Sequence, residues 1–197
     1  MRGMDDCAFC RTPFPDGDAA TLSMIQTRVA KKDHAAIFYL GQKYFFGELG
    51  LQKDARKGVE LWTEAVELGS IDALYNLGLA YYDGNGVQQD KKKSFQFFEK
   101  AAMQGHALCR HNLGFNDDEK GNHDRAVRHF MISAKMGYVG SVETIKYAFK
   151  VGLATKEQYA EALKGYQDAV EETKSHDRDE AKRLCFTSGK DRIERER

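Results

Sequence analysis

The residues best suited to chemistry lie near the start, where Cys7-Ala8-Phe9-Cys10-Arg11-Thr12-Pro13 sets two thiols three positions apart. Two such sulfurs can grip one ion or form a redox pair. A structural zinc takes four ligands, and the remaining cysteines, Cys109 and Cys185, have no second ligand near them in sequence. A redox pair calls for a βαβ setting that lowers a thiol pKa, and no strand pattern accompanies this one. The histidines, at positions 34, 106, 111, 123, 129 and 176, contain no pair at the i, i+4 spacing of a helical zinc site. Gly84-Asn85-Gly86 is too short to cradle a nucleotide, and no spacing suggests a nucleophile with its base. The expectation is a chain that is not an enzyme, with no catalytic residue, no metal site and no cofactor.

The elements that would position a site follow from an internal repeat, which is sought first because missing it misassigns the fold. Leu40-Gly41, Leu77-Gly78 and Leu113-Gly114 recur 37 and then 36 residues apart. Tyr44 and Tyr81 stand three residues after the first two glycines, and Gly47 and Gly84 three further on. Ala36, Leu40 and Tyr44, and again Ala73, Leu77 and Tyr81, share one face of a helix at i, i+4, i+8. A second block runs from Asp54 to Gly69, from Asp90 to Gly105 and from Asn122 to Gly137, with its two ends always 15 positions apart. Asp and Asn accept bonds from the orphan amides of a first turn. Gly supplies the left-handed residue just past a helix end. Each block therefore reads as one capped helix of about 14 residues.

These residues resemble the Sel-1-like repeat, a relative of the tetratricopeptide repeat. The second unit carries the resemblance best, with Ala73, Leu77-Gly78, Tyr81, Gly84-Asn85-Gly86-Val87, Asp90, Ala101-Ala102 and Gly105. The first has one extra loop residue. The third has Cys109 at the Ala position and lacks four loop residues. The resemblance implies an all-α, right-handed α/α superhelix of antiparallel helix pairs that scaffolds protein complexes. It also implies which residues face the concave groove: Phe38, Gln42, Phe45, Tyr75, Asn76, Leu79, Tyr82, His111, Asn112 and Phe115. That surface is rich in aromatic side chains, as binding sites often are, and Asn amides can hold a peptide backbone.

The expected organisation is a segment at 1–17 that resembles a RING remnant, a capping helix at 18–33 and three repeats at 34–137. A degenerate fourth repeat with a capping helix follows at 138–172, and a charged tail at 173–197. Leu22, Ile25 and Val29 suggest the first cap. In the fourth unit Ser141, Ile145 and Phe149 keep the spacing, but Lys146 replaces the glycine, and Gly140 is expected in the loop before it. Thr155 and Gln158 form a capping-box pattern. The following helix sets Tyr159, Ala162, Leu163, Tyr166, Ala169 and Val170 on one stripe, as a terminal cap requires.

Lys plus Arg number 30, as do Asp plus Glu, so the formal charge is zero. Nucleic acids and anionic membranes both want a cationic field, and neither is the expected partner. No apolar run of membrane-spanning length occurs, the first residues lack the apolar core of a secretory signal, and the cysteines are sparse for a disulfide scaffold. The expected location is cytoplasmic or nuclear. The expected function is an adaptor or scaffold that binds a peptide segment of a partner protein in its groove. One alternative is the substrate-binding part of a RING-type ubiquitin ligase, because Cys7 and Cys10 with Arg11 and Pro13 resemble the last ligand pair of a RING finger. Another is a hydrolase sited in the groove.

Overall fold

A computed structural model describes residues 16–174 of the chain. The cysteine pair at positions 7 and 10, Cys185 and most of the charged tail lie outside the described residues. Among the described residues every regular element is a helix. In order these are α1 (Gly17–Val29), α2 (His34–Phe46), α3 (Ala55–Glu67), α4 (Ile71–Asp83), α5 (Lys91–Met103), α6 (Ala107–Glu119), α7 (His123–Lys135), α8 (Val139–Lys150) and α9 (Lys156–Glu172). None is long and apolar enough to cross a membrane.

The spacing of cap residues sets the helix ends. Asp54 caps α3 by accepting from the Lys57 amide, and Asp90 caps α5 by accepting from the Lys93 amide. Gly69, Gly105 and Gly137 adopt φ of 94°, 92° and 87° just beyond α3, α5 and α7. Asn122 departs from the expectation. It precedes α7, but its side chain makes no capping bond. Its carbonyl accepts from the amides of Arg125 and Ala126, and its own amide donates to the Asp117 carbonyl. At α9 the capping box is complete: the Gln158 amide donates to Thr155 Oγ1, and the Thr155 amide donates to Gln158 Oε1.

The chain divides into two compact units between Cys109 and Arg110, a boundary that falls within α6. In the first unit α2 packs on α3, α3 on α4 and α4 on α5. Its core gathers Ile37, Val59, Trp62, Ala65, Ala73, Leu77 and Ala80. Helix α1 lies against α2, with Ile25 buried and Val29 packed on that core. In the second unit α7, α8 and α9 pack on one another around Val127, Phe130, Val142, Ile145 and Ala162. Tyr159, Leu163 and Tyr166 of the α9 stripe close over this cluster. Each large apolar side chain removed from water contributes about 1.5–3 kcal/mol.

Close helix approach depends on the glycine of each Leu-Gly pair. A Cβ on Gly41 would lie 2.7 Å from Trp62 Cδ1, and one on Gly114 would lie 2.5 Å from Phe130 Cε1. Gly78 meets the Phe98 ring in the same way. Gly140 is not in a loop as expected; it sits in the first turn of α8, where an added Cβ would face the Tyr138 ring.

Candidate functional site

In the first unit α2 and α4 present Phe38, Gln42, Phe45, Tyr75, Asn76, Leu79 and Tyr82, all partly exposed. Four of these share one cavity. Gln42 and Phe45 from α2 and Asn76 and Leu79 from α4 line a space of about 260 Å³. Trp62 and Ala80 add apolar wall, and Phe46, Asp83 and Asn85 complete the lining. The Phe45 ring rests against Trp62 at 4.7 Å and meets the edge of Phe46 at 5.1 Å. Trp62 is fixed in turn by its indole N–H, which donates to the Phe38 carbonyl at 3.2 Å. Phe46 ends α2 with 57% of its surface exposed. Sequence reasoning missed Phe46, Asp83 and Asn85 because they lie at helix ends, off the face counted from the Leu-Gly pairs.

The other three residues of this unit lie elsewhere. Phe38 lines a separate hollow of about 360 Å³ with His34, Asp72 and His106. Tyr75 stacks on His106 at 5.0 Å and approaches Phe98 at 6.1 Å. Tyr82 stands edge-on to Phe95, with the Lys91 ammonium 5.0 Å from its ring. His106 Nδ1 accepts from the Cys109 amide, and burial holds its pKa below the ordinary histidine value against the opposing pull of Asp72. Burial pushes the Cys109 thiol up to about 12, so it stays protonated and unreactive.

In the second unit the sequence assignment of His111 to an open groove needs correction. His111 is 7% exposed, and its ring packs among Phe115, Phe130 and Tyr138. Its Nδ1 lies 2.8 Å from Ser141 Oγ, and burial lowers its pKa to about 4. It is a core histidine. Phe115 is exposed along one side, with its ring edge-on to both His111 and Phe130. Asn112 is half-buried. Nearby, the buried Asp117 carboxylate lies 3.4 Å from both Arg125 and His129, and these contacts tie α6 to α7. No group of three His, Cys, Asp or Glu side chains suited to a metal ion occurs among the described residues.

Helix pairs closed by glycine and aromatic contacts, with an apolar cavity between successive first helices, define an α/α repeat fold. The family model described as Sel1 repeat matches residues 34–70 and 71–106. A protective antigen of uropathogenic Escherichia coli displaying an SLR fold is similar over 79% of this chain and 34% of its own, at 25% identity and a TM-score of 0.64. A Sel1 repeat protein from Oxalobacter formigenes is similar over 80% of this chain and 65% of its own, at 26% identity and a TM-score of 0.63. The chain thus spans about a third of the first structure and just under two thirds of the second. Sel1-repeat proteins are typically scaffolds without enzymatic activity that bind protein partners.

Proposed function

We propose that the cavity between α2 and α4 receives an apolar side chain from an extended segment of a partner protein, which makes this chain an adaptor or scaffold. The observation that supports this reading is the convergence of Phe45, Phe46, Trp62 and Leu79 with the amides of Gln42, Asn76 and Asn85 around one space. Rings supply contact area at low entropic cost. Side-chain amides both donate and accept, as a peptide backbone requires. A space of about 260 Å³ falls just below the roughly 300–1,000 Å³ of sites that engulf a small molecule. It suits one anchoring side chain.

The test is selection of phage-displayed peptides on the folded protein, followed by binding of the selected peptides to wild type and to a Phe46→Ala, Asn76→Ala double variant. The expected result is enrichment of sequences with a large apolar residue and a loss of affinity of at least about tenfold in the variant, the size expected when an interface anchor is truncated. Selected peptides that bind both proteins equally would refute the site.

A further inference from the structure

The turn at residues 84–87 contributes to two hollows of the first unit. Asn85 lines the cavity described above, whereas Gly84, Gly86 and Val87 line a larger, open hollow of about 920 Å³. Gly86 makes the arrangement possible. Its φ is 76°, and a Cβ there would lie 2.5 Å from the Ala55 carbonyl oxygen at the start of α3. The turn is thereby seated on α3, and Arg56 of α3 faces the same hollow as Lys93 of α5.

The cations at these two helix starts, of which Arg56 and Lys93 line the hollow together with Asp90, work against the helices that carry them. The first turn of α3 holds Arg56 and Lys57, that of α5 holds Lys91, Lys92 and Lys93, and neither turn contains an acid. A helix N-terminus favours anions, so each cation there costs about 0.3–1 kcal/mol. Asp54 and Asp90 are engaged as caps. The Arg56 pair with Glu60, at 3.6 Å with both side chains exposed, offsets little. Tyrosine rings hold three of the cations in place, and Lys91 Nζ, 5.0 Å from the Tyr82 ring centre, is the loosest of them. Lys57 Nζ lies 3.9 Å from the centre of the Tyr44 ring. Lys93 Nζ lies 4.2 Å from the Tyr81 ring centre and donates to that hydroxyl at 2.8 Å. Five cations are therefore kept, three of them against tyrosine rings, at positions where acids would serve helix stability better.

We propose that this edge of the first unit docks an acidic, extended segment of a partner protein, with Asp or Glu carboxylates meeting Arg56 and the lysines of α5. A nucleic-acid strand fits less well. Single strands are held by stacking bases on free rings, and the one ring in the hollow, Tyr81, is occupied by Lys93 and stacked on Phe97 at 5.6 Å. The inference stands apart from the groove reading, since it involves different residues and opposite chemistry.

The experiment uses the full chain with a fluorescein-labelled peptide of eight glutamates, its glutamine counterpart, and a single-stranded octanucleotide. The glutamate peptide is expected to bind at low salt, to weaken as salt rises, and to exceed the glutamine peptide. An Arg56→Glu, Lys92→Glu variant is expected to lose at least about tenfold in affinity for it, as reversal of steering charges does. That variant should also melt no lower than wild type, because it places acids at helix N-termini. A Lys100→Glu control, on the last turn of α5, should bind as wild type does. Equal binding of the two peptides, or undiminished binding to the double variant, overturns the proposal. Displacement of the peptide by the octanucleotide at lower concentration than unlabelled peptide also overturns it, in favour of nucleic acid.

Discussion

The ring of Phe98, only 2% exposed on α5, fills the space that a side chain on Gly78 of α4 would need. The relationship recurs between Gly41 and Trp62 and between Gly114 and Phe130. In each hairpin the first helix omits a side chain where the second inserts a ring.

Gly78→Ala is therefore expected to cost about 1–3 kcal/mol, the range for forcing extra volume into a packed core. Gly114→Ala should behave similarly, because Phe130 is equally enclosed. Gly140→Ala should cost less. Its obstacle is the half-buried Tyr138 ring next to a helix start, which has room to turn. Urea unfolding midpoints of the three variants decide the matter, and a Gly140→Ala loss as large as the other two would contradict it.

The caps make a matched pair. Thr155→Ala removes one half of the capping box at α9 and should cost about 1 kcal/mol. Asn122→Ala should cost much less, since that side chain makes no capping bond at α7. Thermal midpoints of the two single variants provide the comparison. Equal losses would mean that Asn122 caps α7 in solution.

His111 should make stability depend on pH. A histidine in the unfolded chain takes up its proton near pH 6.5, whereas burial among Phe115, Phe130 and Tyr138 holds the folded group at about 4. Between these values the unfolded state binds more protons. Stability that is fully present above pH 6.5 is thus lost as pH falls toward 4, by on the order of 2 kcal/mol. A His111→Phe variant should be less stable at pH 7, because Ser141 Oγ loses this partner, yet should lose less between pH 7 and pH 4.5. The readout is the difference between the two urea midpoints at each pH, in which the other titrating groups cancel. Parallel pH profiles would remove His111 from this role.

Much of the fold was legible because it is written locally. The spacing from Asp54 to Gly69 and from Asp90 to Gly105 marks helix ends through cap chemistry that acts within one turn. Thr155 and Gln158 likewise reveal α9. The cavity was legible only in part. Gln42, Phe45, Asn76 and Leu79 follow from their offsets to the Leu-Gly pairs and do converge. Phe46 and Asn85 join them through the way α2 and α4 end, which no offset encodes. His111 holds the position in the third repeat that Phe38 and Tyr75 hold in the first two. Its burial depends on Tyr138 and on Ser141, which lies 30 residues further along the chain. Gly140 was misplaced because Tyr138, the residue before α8, makes no side-chain cap and so leaves no N-terminal signal.

Leu77 and Phe46 should separate folding from binding. Leu77 is 1% exposed in the first core, and Leu77→Ala should cost about 2–5 kcal/mol. Phe46 is 57% exposed at the cavity rim, so Phe46→Ala removes little buried surface and should shift stability by less than about 1 kcal/mol. Trp62, the sole tryptophan, is buried against Phe45 and reports on both. Its emission should stay blue-shifted in folded Phe46→Ala, while the unfolding transition it follows should move to lower urea in Leu77→Ala. Peptides selected on the wild-type cavity should bind folded Leu77→Ala nearly as well as wild type, and Phe46→Ala much more weakly. If Phe46→Ala unfolds as readily as Leu77→Ala, Phe46 belongs to the core and the cavity has lost its rim. If both variants stay folded and bind equally well, the peptides engage another surface of the protein.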